Sequence, residues 1–182
     1  MELSILYAIQ EYRTPLGDNL MVLLSALGNK GFIWVAIAGV MICFEKTRKW
    51  GFAVLLSVAI GLLLGDGILK PLFARPRPFY LDTAIVLNIK KPGGYAFPSG
   101  HTLSAFAGAY AIFTGNRKAG IPALIVAVMI GFSRMYLFVH YPTDVLAGAI
   151  LGVYVARLIT HILQIRYTHP KCCKSRSFPG QQ

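Results

Sequence analysis

Charged side chains are scarce in this sequence. They make up 14% of its 182 residues, against 55% that are hydrophobic, and the mean hydropathy is positive. A soluble domain of this length cannot hide so much apolar surface in one core. Cysteine is scarce as well: there are three, Cys43, Cys172 and Cys173. One lies inside an apolar stretch and two are adjacent, which excludes a disulfide framework and a zinc-ligand spacing. They read as inert thiols, with acylation of the Cys172-Cys173 pair as the other reading. Internal repeats are absent, and no stretch reads as a separate soluble domain. Residues 1–182 are therefore expected to form a single membrane-embedded domain with a short basic tail from about residue 166. A cleavable signal peptide is not read either. Met1 to Tyr12 carries Glu2 and Glu11, has no basic start, and is expected to lie at the interface as an amphipathic helix.

What is present is a series of apolar stretches: Pro15 to Leu27, Phe32 to Phe44, Trp50 to Leu69, His101 to Phe113, Ala119 to Phe138 and Val145 to Ile165. The longest reach the roughly 20 residues that a spanning helix needs. The expected fold is an all-α integral membrane helical bundle of five or six transmembrane helices. The count turns on whether the first 44 residues make two short spans or one helix broken at Gly28-Asn29-Lys30-Gly31.

The net charge is +11, from 18 Lys and Arg against 7 Asp and Glu. Such a balance invites a nucleic-acid reading, but the placement of the cations argues against one. Lys46, Arg48 and Lys49 fill one short loop, Arg117 and Lys118 another, and Arg166, Lys171, Lys174 and Arg176 the C-terminal tail. By the positive-inside rule these segments are cytoplasmic. Lys70, Arg75, Arg77 and Arg134 then fall on the opposite side together with His101 and His140, where topology gives a basic cluster no purpose. That cluster asks for a chemical role.

Three short stretches hold the polar groups. In "KPLFARPRP", Lys70 ends a span and Arg77 follows after prolines that force the backbone out of the helix; ordinary snorkelling is the alternative reading of these cations. In "GYAFPSGHTLS", Ser99 is a candidate N-cap, Gly100 lets the backbone approach a ligand, and the free amides of a helix start attract phosphate. His101 would face the same site. In "SRMYLFVHYPTD", Arg134 adds a cation, His140 precedes Pro142, and Asp144 stands four residues beyond His140, placed to fix its tautomer and leave the other ring nitrogen free. Charged groups at membrane depth are costly. With the topology above, all three stretches emerge at one face, where cations, two imidazoles and a helix N-terminus would suit a phosphoryl group.

Lys70, Arg77 and Pro78 as K-x6-RP, Pro98 to His101 as PSGH, and Ser133, Arg134, His140 and Asp144 as SR-x5-H-x3-D resemble the three-part signature of the type 2 phosphatidic acid phosphatase (PAP2) superfamily, which includes the vanadium haloperoxidases. The resemblance implies a membrane-embedded, six-helix, metal-independent phosphatase without a cofactor. His140 would attack phosphorus to give a phosphohistidine, Asp144 would hold its ring, and His101 would protonate the leaving oxygen. Lys70, Arg77, Ser99, Gly100 and Arg134 would bind the phosphate, the glycine through its backbone amide. Arg75 would assist there or contact headgroups, and Asp66, one turn before Lys70, is expected to orient that lysine. "RTPLGDNLM" and "SALGNKG" are similar, more weakly, to short bacterial undecaprenyl-diphosphatases. The partners so implied are membrane lipids and a lipid-linked phosphate met at an extracytoplasmic site, with no nucleic acid. Phosphatidylglycerophosphate, phosphatidate and lipid A phosphates are alternative substrates. A haloperoxidase is disfavoured because those relatives are soluble, and retention of both histidines weighs against a non-catalytic lipid-binding or transport protein.

Overall fold

The computed structural model describes residues 2–82 and 84–167. The basic tail beyond residue 167 and the Cys172-Cys173 pair lie outside the described residues. Among the described residues the chain is all-helical. Helix α1 is Glu2–Glu11, α2 Pro15–Leu27 and α3 Phe32–Cys43; α4 is Arg48–Leu62, extended by a π-helical run Leu63–Leu69 into α5, Lys70–Phe73. A short α6, Pro78–Leu81, precedes the polar loop, and α7 (Gly100–Gly115), α8 (Arg117–Tyr136) and α9 (Pro142–Tyr167) follow.

Three of these segments are long and apolar enough to cross a membrane: Arg48–Leu81, Arg117–Tyr136 and Pro142–Leu163. The bent pair α2 and α3 makes a fourth when counted as one span. Its 47° bend falls at the Gly28-Asn29-Lys30-Gly31 break read from the sequence. There Lys30 and Gly31 take left-handed φ values of 48° and 71°. Glycine accepts that region at no steric cost, and it ends one helix while starting the next.

Helix α7 is the axis of the bundle. Its sequence, GHTLSAFAGAYAIFTG, is dominated by small residues, and ten of its sixteen residues are buried. Small side chains let neighbouring backbones approach closely where lipid provides no hydrophobic drive for association. The partner face on α9 carries Gly148 and Gly152. A Cβ on Gly148 would stand 2.7 Å from the Ser99 carbonyl oxygen, and one on Gly152 2.5 Å from that of Leu103. Helices α7 and α9 therefore run parallel in close contact. Gly131 meets Thr102 and Gly120 meets Phe113, so α8 runs antiparallel to α7; Gly61 toward Leu103 and Ala107, with Gly65 toward Leu103 and Pro98, sets α4 antiparallel as well. The end of α4–α5, the start of α7, the end of α8 and the start of α9 consequently share one end of the bundle.

Capping fixes the chain at both ends. Thr14 caps α2 ahead of Pro15, Ser99 caps α7, and Asn116 caps α8 by accepting from the amides of Lys118 and Ala119. Between α8 and α9 only residues 137–141 intervene. Phe138 takes a φ of 57° in this tight turn, and the Val139 amide donates to the Arg134 carbonyl. Arg134 and His140 are thereby held at the same end. Helix α1 lies across that end: Leu6 is fully buried in a cluster with Phe79, Leu137, Phe138 and Val139, and Gln10 Nε2 donates to the Tyr136 carbonyl.

Candidate active site

Pro142 opens α9, as the sequence predicts, and Asp144 stands in its first turn. The Ser99 amide donates to the Asp144 carbonyl oxygen at 3.1 Å, which ties the start of α7 to the start of α9. His101, one residue inside α7, is within electrostatic reach of His140, Arg134, Lys70 and Arg77. The eight residues singled out from the sequence thus gather at one end of the bundle. Ser99, Arg134, Asp144, Arg77 and His140 are all buried, at 3% exposure or less.

Each ring nitrogen of His140 faces a charged side chain. Arg77 Nη1 lies 3.2 Å from its Nε2, and a guanidinium can only donate. This assigns Nε2 as the acceptor and puts the ring proton on Nδ1. Nδ1 faces Asp144 Oδ2 at 3.5 Å, within ion-pair range but too long for a hydrogen bond, so it has no hydrogen-bond partner. Burial, followed by the cations of Arg134, Arg77 and Lys70, holds the imidazole well below its ordinary pKa, so the ring is neutral with a lone pair on Nε2. That is the state a nucleophile requires.

The cations are each fixed by a neighbour. Arg77 donates from Nε to the Gly94 carbonyl at 3.1 Å, from Nη2 to that of Gly93 at 3.0 Å and from Nη1 to that of Val139 at 3.1 Å. Lys70 Nζ pairs with Asp66 Oδ1 at 2.7 Å, the orienting role expected of that aspartate. Gly100 is packed against the same carboxylate, since a Cβ there would stand 2.8 Å from Asp66 Oδ1. Arg134 Nη1 donates to Ser25 Oγ, and its buried Nε has no partner. Ser99 Oγ accepts from Thr102 Oγ1 at 2.9 Å and caps the helix, so its own proton can serve an anion. Together these groups bring a neutral imidazole, a second imidazole and several fixed donors to one largely buried cluster.

Ser25 and Glu2 are absent from the sequence-level set. No motif links them to residues more than a hundred positions away, and only the fold of the N-terminal helices does so. Arg75 is placed differently from either expectation. Its guanidinium pairs with Asp144 Oδ1 at 2.7 Å and with Glu2 Oε2 at 2.5 Å, and it stacks 3.9 Å above the Tyr141 ring.

Comparison with known proteins agrees with the motifs. The chain is 35% identical to an undecaprenyl-diphosphatase of Sulfolobus acidocaldarius over 146 residues, which cover 80% of this chain and 70% of that protein. It is 33% identical to a lipid A 4'-phosphatase of Bacteroides thetaiotaomicron over 66% of this chain and 60% of the relative. Among solved structures, a transmembrane PAP2-type phosphatidylglycerolphosphate phosphatase from Bacillus subtilis superposes with a TM-score of 0.74 at 28% identity, over 89% of this chain and 84% of that one. The PAP2 superfamily model matches residues 50–167, a span that contains all three motifs and every residue of the site except Ser25 and those of α1; the chain belongs to the PAP2 superfamily.

Proposed function

We propose that this lipid phosphatase removes a terminal phosphate from a polyprenyl diphosphate, most simply undecaprenyl diphosphate, at the extracytoplasmic face of the membrane and without a metal. The observation that carries the reading is the neutral His140 with Nε2 beside Arg77 and Nδ1 toward Asp144. Nε2 gives up the Arg77 hydrogen bond and its lone pair attacks phosphorus, while His101, protonated beside the bound diphosphate anion, gives its proton to the departing oxygen. Lys70, Arg77, Arg134, the Ser99 hydroxyl and the Gly100 amide take the charge on the equatorial oxygens. Water then attacks the phosphohistidine, His101 takes the proton released from that water, and the His140 imidazole departs as leaving group. Splitting one difficult displacement into two is the contribution of the covalent nucleophile, and the fixed cations supply the electrostatic stabilisation.

The undecaprenyl assignment is supported by the relatives so named in Sulfolobus acidocaldarius and Bacillus subtilis. In the arrangement proposed, the α2–α3 pair, α4 with its extension, α7, α8 and α9 make five crossings. Helix α1 rests on the surface at the site end, and Lys46, Lys49, Arg117 and Lys118 lie at the other. A panel of undecaprenyl diphosphate, phosphatidylglycerophosphate, phosphatidate and lipid A, assayed for released orthophosphate with and without EDTA, tests the substrate. Fastest release from the diphosphate, unchanged by EDTA and lost in His140→Ala, is expected. Strict metal dependence, or turnover retained by His140→Ala, contradicts the mechanism.

A further inference from the structure

The Asp144 carboxylate is fully buried, and its two oxygens face different ways. Oδ2 accepts from the Tyr141 amide at 2.9 Å and lies 3.5 Å from His140 Nδ1. That separation leaves Nδ1 facing the carboxylate without a hydrogen bond, so fixing the carboxylate from its other side sets the acceptor on which Nδ1–H can close. That side belongs to Arg75. Its Nη1 donates to Asp144 Oδ1 and to Thr143 Oγ1, each at 2.7 Å, while its carbonyl accepts from the Ala96 amide at 2.8 Å. Arg75 is in turn held by the N-terminal helix. Glu2 Oε2 accepts from Arg75 Nη2 at 2.5 Å, and Glu2 Oε1 accepts from the Thr143 amide at 3.2 Å and from its hydroxyl at 2.5 Å. Burial would raise the Glu2 carboxyl, but the hydrogen bonds from Thr143 and Arg75 outweigh it and hold the group below the usual carboxylate range.

We infer that Arg75, anchored by Glu2 of the first helix, is a positioning residue that fixes the Asp144 carboxylate and through it the attack geometry of His140. The inference rests on the reading of His140 as nucleophile. Arg75 does not bind phosphate in this account: its Nη1 and Nη2 donate to Asp144, Thr143 and Glu2, and its face is covered by Tyr141. Glu2 and Arg75 act as one unit, so their effects on turnover are coupled rather than independent.

Steady-state kinetics on undecaprenyl diphosphate in detergent micelles tests this with the full chain. Arg75→Gln should lower kcat by about ten- to a hundredfold, the range typical of outer partners that orient a ligating side chain, with KM within about twofold. Glu2→Gln should lower kcat by a smaller factor, and the double variant should be no slower than Arg75→Gln alone. Arg75→Lys should recover part of kcat, and added guanidinium should raise the kcat of Arg75→Ala but not of wild type. A raised KM at unchanged kcat would make Arg75 a phosphate contact and overturn the inference. So would an Arg75→Gln kcat within twofold of wild type, or Glu2 and Arg75 effects that multiply. Guanidinium rescue keeps the test decisive if Arg75→Gln folds poorly, because a misfolded variant is not restored by a small cation. His140→Ala separates the two levels: turnover retained there removes the nucleophile reading, whereas an inactive His140→Ala beside an unimpaired Arg75→Gln removes only this inference.

Discussion

His140 shows how the surroundings of one side chain set its chemistry. An imidazole in water is half protonated near pH 6.5; here burial and three neighbouring cations keep it neutral. The unfolded chain binds a proton at His140 that the folded chain refuses, so this residue makes folding less favourable as pH falls below the ordinary imidazole pKa. Ring resonances from isotope-labelled histidine, assigned by their loss in His140→Gln, should show a neutral ring at about pH 6. A ring half protonated near 6.5 contradicts this environment. The residues proposed to meet phosphorus were legible in the sequence because that chemistry needs particular side chains at fixed spacing. Those behind them were not: Ser25 and Glu2 are ordinary polar residues whose role comes from helix packing, and Arg75 is shared between two carboxylates that lie far apart along the chain.

At the scale of the element, the contact between α7 and α9 holds His101 and His140 at one end of the bundle. His101 rides on α7, while Asp144 rides on α9 with His140 just ahead of it, and the helices meet backbone to backbone through Gly148 and Gly152. Gly148→Leu should push the start of α7 away, because its Cβ alone would stand 2.7 Å from the Ser99 carbonyl oxygen. Overpacking of this kind costs about 1–3 kcal/mol. A lowered thermal midpoint in detergent and a fall in kcat larger than that of Ile150→Leu, on the exposed face of α9, are the expected results. Equal activity in the two variants would show that this contact does not set the site. Hydropathy located α4, α8 and α9 well, since a long apolar run is a strong signal. It could not say whether α2 and α3 form one crossing, because a 47° bend at a left-handed Lys-Gly pair is a backbone event inside otherwise apolar sequence. The π-helical run before Lys70 left no trace in the pattern either.

For the whole molecule, the proposed reading links orientation to chemistry: the cations at one end would answer to topology and those at the other to phosphate. With Cys43, Cys172 and Cys173 replaced by serine, a membrane-impermeant thiol reagent applied to intact cells should label Tyr80→Cys and leave Lys118→Cys untouched until the cells are opened. The reverse pattern places the site on the cytoplasmic side. The most direct test of the account is to trap the intermediate by rapid quench with undecaprenyl diphosphate radiolabelled in its terminal phosphate, followed by peptide mapping. An acid-labile, base-stable label should appear on the peptide carrying His140, formed at least as fast as turnover and absent from His140→Ala. A label on any other residue, or no covalent label while turnover proceeds in the wild type, would contradict it.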